Sequence, residues 1–132
     1  MLRLDSRYFS QKTYDGLKAA KAKIKSDDLG KASSAAQSLT SYISTWGLHR
    51  LSGDYLKYKK RGESTRYRQH IYFHFLDTLK EISPVTFNPE EPSTLVHMES
   101  LHDYTGLNRL AIALAQEWSF WAVPILGEAK DD

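Results

Sequence analysis

Apolar residues recur every three or four positions along most of this 132-residue sequence, and that spacing constrains its fold more than any other feature. The stripe Leu29, Ala32, Ala36, Leu39, Ile43, Trp46 alternates threes and fours, as the buried edge of a bundle helix does. Phe9, Thr13, Leu17, Ala20 and Ile24 form an earlier stripe, entered through a cap at Asp5 or Ser6. Gly16 sits inside it and is expected to weaken the helix by about 1 kcal/mol relative to Ala. Asp27 or Asp28 suits the N-terminus of the second helix, since a carboxylate there meets the positive end of the helix dipole. Gly47 predicts a cap or kink, after which Leu48, Leu51, Tyr55 and Tyr58 face inward on a shorter third helix.

"KKRGEST" has turn chemistry, with Gly62 free to take positive φ and Ser64 or Thr65 placed to cap the next helix. That fourth helix is predicted to run to about Ile82, presenting Ile71, Phe75, Leu79 and Ile82 to the core. "SPVTFNPEEP", residues 83–92, holds three prolines in nine residues and reads as an exposed loop. A short helix over "STLVHMESLH" and a long one from about Tyr104 to Val123 complete the chain. The long one carries Leu107, Leu110, Leu114, Trp118, Trp121 and Ile125 on one side. No stretch alternates as a strand would. The expectation is all-α: residues 1–132 as a single helical domain, a bundle of five or six helices. Its core should contain Leu39, Ile43, Phe75, Leu79, Leu114 and Trp118.

A chain of this length buries roughly two thirds of its unfolded surface and needs no covalent staple. With no cysteine, disulfides and Cys-ligated zinc are excluded, which fits an intracellular location. "MLRLDSRYFSQK" lacks the apolar run of a signal peptide. The most apolar stretch, "LAIALAQEWSFWAVPIL", carries Gln116 and Glu117 and is too short to span a bilayer. A soluble cytoplasmic protein without a membrane partner is expected.

Net charge is only +2, but its distribution is uneven. Residues 1–25 hold seven basic and two acidic side chains, and residues 49–70 hold the same numbers. Residues 71–132 hold ten acids against three bases. A basic surface attracts polyanions, whereas an acidic one repels them or meets a basic partner. Lys57, Lys59, Lys60, Arg61, Arg66 and Arg68 surround the turn, and Lys18, Lys21 and Lys25 follow a helical face. Such cations bind phosphates without reading bases, and Tyr58 and Tyr67 would stack on splayed bases of single-stranded RNA. The bland alternative is a solvated helix-turn.

Two further constellations carry chemistry. His70 and His74 lie four apart with Asp77 and Glu81 continuing their face, a donor set for a divalent metal. It lacks the Glu that zinc hydrolases place after the first His, so a polar helix flank is the plainer reading. Arg68 and His74 have the R-x4–6-H spacing of HEPN ribonucleases, small all-α proteins that cleave RNA without metal. There the Arg steadies phosphate and the His assists proton transfer, although Gln69 departs from the residue preferred after the Arg. His97, Glu99 and His102 do not converge on one helical face. With no G-x-S-x-G, P-loop or G-x-G-x-x-G, the chain offers no nucleophile elbow and no nucleotide-cradling loop. Neither a cofactor nor a metal is expected.

Three stretches together resemble the small α-helical subunit of type III CRISPR–Cas effector complexes, nearest the Cmr-type. "LGKASSAAQSLTSYISTWGLHRLSGDYLKY" is similar to that family's helix, Gly-Leu break and following helix, with Gly47-Leu48 at the break. "YRQHIYFHFLDTLKEI" resembles its aromatic-rich middle helix, and "LHDYTGLNRLAIALAQEWSFWAVPIL" its last helix. The resemblance implies a non-catalytic subunit in an antiviral ribonucleoprotein. Several copies would stack head to tail beside the guide RNA and target RNA, contact RNA backbone through basic residues, and touch other effector-complex subunits. A metal-independent ribonuclease using Arg68 and His74 is the alternative.

Overall fold

The computed structural model describes residues 7–130, so the expected cap at Asp5 or Ser6 lies outside the described residues. Among them are seven α-helices, two single-turn 3-10 helices and no strand. The first helix, α1, spans Arg7–Lys21, and a 3-10 turn at Ser26–Asp28 leads into α2, Leu29–Gln37. Then come α3 (Leu39–Trp46), α4 (Leu48–Arg61), α5 (Arg66–Ile82), the single turn α6 (Ser93–Val96) and α7 (Leu101–Leu126). No helix among the described residues is long and apolar enough to cross a membrane.

The second apolar stripe is delivered as two helices because Ser38 competes with the backbone. Its hydroxyl donates to the Ala35 carbonyl at 2.9 Å, while its N–H is shared between Ser34 and Ala35. The stripe stays inward across the bend at Ala32, Ala36, Leu39 and Ile43. Trp46, at its end, does not: it is 52% exposed, with the Arg50 guanidinium 4.7 Å from its ring. Gly47 (φ 87°) and Gly62 (φ 96°) make the breaks on either side of α4, a backbone region that L side chains rarely adopt. Asp28 and Thr65 precede helices without capping them through their side chains. The Thr65 hydroxyl turns back to the Tyr58 carbonyl at 3.4 Å instead.

The loop at 83–92 is less exposed than its prolines suggest. Phe87 is buried in the core, and the Ser52 hydroxyl donates to the Pro89 carbonyl at 2.9 Å. The loop is therefore strapped along α4. Helix α7 starts earlier than expected, at Leu101, because the Ser100 hydroxyl accepts from the Asp103 N–H and caps it. It also runs past Val123, with Pro124 in its last turn.

All six residues expected in the core are at most 1% exposed, and Phe75 meets Trp118 edge-to-face at 5.5 Å. Gly16 reverses its expected role. A Cβ there would lie 2.7 Å from Thr78 Oγ1 and 3.0 Å from the Trp118 ring, so glycine lets α1 pack closely against α5 and α7.

Helix directions are set by their cross-links. Lys12 pairs with Glu81, Gly16 abuts Thr78 and Lys25 reaches Glu63, so α1 and α5 run antiparallel. Ser10 bonds Glu117 and Tyr14 packs on Trp121, so α1 and α7 run parallel. The Lys130 N–H donates to the Gly30 carbonyl and the Leu48 N–H to Asn108, which sets α2 and α3 against α7. One end of the bundle thus gathers the end of α1, the α4–α5 turn and the end of α7. The other gathers the start of α1, the end of α5, residues 83–100 and the start of α7.

Candidate nucleic-acid interface

Because α1 and α5 are antiparallel, the C-terminal end of one basic segment meets the turn of the other. Lys23, Lys25 and Arg66 line one cleft with Ile24, Asp28, Glu63 and Tyr67. The Lys25 ammonium lies 3.5 Å from Glu63, with both side chains more than 70% exposed. Lys21, Lys60 and Arg61 are exposed at the same end. Carboxylates are present there too, at Asp27, Asp28 and Glu63, but the Lys and Arg side chains outnumber them.

The nine cations singled out from sequence fare differently. Lys60, Arg61 and Arg66 are exposed and have no ion-pair partner among the described residues. Lys57 and Lys59 are exposed but engaged: Lys57 is 3.2 Å from Asp54, and Lys59 is 3.4 Å from Glu90 on the strapped loop. Lys18 leans over the Tyr14 ring, on the face shared with α7. Lys21 ends α1, so Lys25 does not continue the helical face with Lys18 and Lys21; its extended backbone (ψ 144°) carries it across to Glu63. Arg68 is half-buried, donating to the Tyr58 hydroxyl at 3.0 Å and the Tyr67 hydroxyl at 3.4 Å. It serves the packing of α4 on α5 more than the surface.

Tyr58 and Tyr67 are themselves buried, at 9% and 6% exposure, which overturns their expected role as stacking platforms. Arg61 and Lys57 cover the Tyr58 ring at 5.5 and 5.0 Å. The aromatic interleaving of the segment is a layer beneath the cations. Lys23 was missed by the spacing argument, because it lies just past the end of α1, where helical periodicity no longer places residues. The signal available was the charge density of "KAKIK" itself.

Around the midpoint of α5 the field of these cations is felt. His74 is half-buried with its Nε2 buried and unpartnered. Burial, then Lys23 and His70, hold it down to about 4, against a smaller pull from Asp77. His70 is lowered too, by burial and then by Lys23 and Arg66. Arg68 points into the tyrosine layer towards α4, whereas His74 is within range of the Lys23 charge just past the end of α1. Sequence spacing put the pair together; the helix separates their surroundings. No three His, Asp or Glu side chains among the described residues are grouped to hold a metal ion, so His70, His74, Asp77 and Glu81 do not converge as a donor set.

The opposite end carries Glu81, Glu91, Glu99 and Asp103 on its surface, beside the exposed apolar side chains Val96 and Leu101. Comparison with protein-family models, with curated proteins and with solved structures returns no match.

Proposed function

We propose that this chain is a non-catalytic small subunit of an RNA-guided effector complex of the type III CRISPR kind, acting in the cytoplasm. Several copies stack head to tail and hold the backbone of guide and target RNA against their basic ends, alongside other subunits. The observation that carries this reading is the meeting of Lys21, Lys23 and Lys25 with Lys60, Arg61 and Arg66 at one end of the bundle. Cations in that number, only Lys25 of them in an ion pair among the described residues, attract a phosphate backbone, and with Tyr58 and Tyr67 buried the contact is electrostatic rather than base-directed. The carboxylates at the far end supply the complement a neighbouring copy needs for a heterologous, repeating contact.

A lone subunit makes few contacts, screened at physiological ionic strength, and assembly multiplies them. Binding to single-stranded RNA should be sequence-independent, with a log–log salt slope of about −2 to −3 for three or four phosphates neutralised. Affinity that depends on sequence, or that ignores salt, sinks the reading. Labelled RNA should stay intact with or without divalent metal. Cutting that disappears in both Arg68→Ala and His74→Ala would replace this function with the ribonuclease.

A further inference from the structure

The cleft between the end of α1 and the start of α5 differs from the rest of the basic surface. It encloses about 140 Å³ and is lined by Lys23, Lys25 and Arg66, together with Tyr67. That space is ample for one phosphate group. The cations reach it from two segments that share no helix, so they surround a point rather than track a strand. Asp28 and Glu63 also line it. Among the described residues the Glu63 carboxylate is held by the exposed, 3.5 Å pair with Lys25, a contact worth little in water and readily exchanged for a phosphate oxygen. Lys23 and Arg66 both lower the His70 pKa, after burial, so the ring is within reach of their charges.

We propose that this cleft is a pocket for a terminal phosphate monoester, at the end of an RNA strand held by the basic surface. A monoester carries −1.5 to −2 charges and three acceptor oxygens, against one charge and two free oxygens for a backbone diester. Three cationic side chains on the lining of one cleft favour the former. Arg66 supplies a forked donor and the two lysines supply point charges, so the phosphate is gripped from both sides of the α1–α5 junction. The proposal rests on the RNA-binding reading for its ligand, but the pocket itself can be tested with inorganic phosphate.

Two measurements decide it. In the first, one oligoribonucleotide is prepared with a 5′-phosphate, with a 3′-phosphate and with hydroxyl ends, and binding is compared at low salt. One of the phosphorylated strands should bind on the order of tenfold more tightly, a factor expected of two or three charge-assisted bonds in an exposed cleft. Lys23→Gln and Arg66→Gln should each weaken the hydroxyl strand as any loss of surface cation does, and in addition erase the preference, so that all three strands bind alike. Lys60→Gln should weaken all three strands alike. In the second, inorganic phosphate is titrated while the His70 ring is followed by NMR; a bound anion offsets Lys23 and Arg66 and should raise the histidine's pKa.

Equal affinity for all three strands, with no response of His70 to phosphate, overturns the pocket even if RNA binding itself survives. A His70 response that Lys23→Gln abolishes, in a protein that binds no RNA, keeps the pocket and discards the RNA reading instead. A response unchanged in Lys23→Gln and Arg66→Gln shows an adventitious ion only and also overturns the proposal.

Discussion

The two ends of the bundle are made from the same long helices and hold their charges in different ways. At the basic end, Lys21, Lys23, Lys60, Arg61 and Arg66 have no ion-pair partner among the described residues, and the aromatic rings beneath them are buried. At the acidic end, Glu81 is taken by Lys12, and the backbone of Asp103 is taken by the Ser100 cap. There the exposed surface includes Leu101 at 78% and Val96 at 56%. One end sets its cations over buried rings, and the other sets its carboxylates beside exposed apolar side chains. The difference comes from topology. Antiparallel α1 and α5 bring the basic close of one to the basic opening of the other, converting an asymmetry along the chain into an axis through the molecule.

The largest effect should come from reversing each end in turn. Lys60→Glu, Arg61→Glu and Arg66→Glu together should reduce RNA retention about a hundredfold or more in the assembled complex and flatten the salt slope. Glu91→Lys with Glu99→Lys should leave RNA binding at least as strong and weaken contact between copies, read by sedimentation. Equal loss of RNA from both sets would mean that the two ends do not differ in function.

Next in size is a change that alters no charge. Gly16→Ala is expected to destabilise the fold by about 1–3 kcal/mol, because the added methyl must displace Thr78 Oγ1 or the buried Trp118 ring. The Thr78 hydroxyl is already committed to the His74 carbonyl at 2.7 Å. Pushing α1 off α5 also moves Lys23 and Lys25 away from Arg66, so RNA affinity should fall with stability. A stabilised Gly16→Ala variant would show that helix propensity, not close packing, governs the position.

The frame was legible because burial tracks period. Leu39, Ile43, Phe75, Leu79, Leu114 and Trp118 each lie on a stripe of threes and fours, and each is in the core. The sequence hid the effects of contacts between distant residues. Tyr58 and Tyr67 alternate with cations and so resemble a stacking surface, but only the packing of α4 on α5 shows that their rings point inward. Gly16 reads as a weak helix residue until Thr78 and Trp118 are beside it. Lys23 obeys no spacing rule, since the helix has ended two residues before it. Phe87 sits among prolines that advertise a loop, and nothing local says that the loop folds back on Ser52.

Acid should act through the two histidines of α5. His74 has its folded value held near 4, below the ordinary 6.5, so between these values the unfolded chain binds more protons. Its contribution to stability is complete above pH 6.5 and is lost as pH falls towards 4. His70, lowered in the same direction beside Lys23 and Arg66, adds to the effect. Urea melts at about pH 7.5 and about pH 5 should show a loss of stability that is smaller in His74→Gln. Amide exchange at the lower pH should rise first near the α4–α5 turn. An identical loss in the variant would mean that His74 is not held neutral by its surroundings.

The smallest effect tests a place where the two ends are wired together. Glu90 belongs to the acidic half of the chain, yet its carboxylate lies 3.4 Å from Lys59 and 3.3 Å from the Tyr55 hydroxyl. Tyr55 is pushed up to about 12, by burial foremost and then by this carboxylate. Glu90→Gln removes the charge and frees Lys59 for phosphate. RNA affinity should rise about twofold and the salt slope should steepen by about 0.7, one more phosphate neutralised. Stability should move by less than about 1 kcal/mol, the usual worth of an exposed pair. The Tyr55 phenol should ionise at lower pH in a spectrophotometric titration, since one of its two raising influences is gone. Adding Lys59→Gln to Glu90→Gln should cancel the gain in affinity and leave the tyrosine shift in place. Should Glu90→Gln bind RNA more weakly, the loop carboxylate is holding Lys59 in position for phosphate rather than competing with it, and the acidic half contributes to the interface it was expected to leave alone.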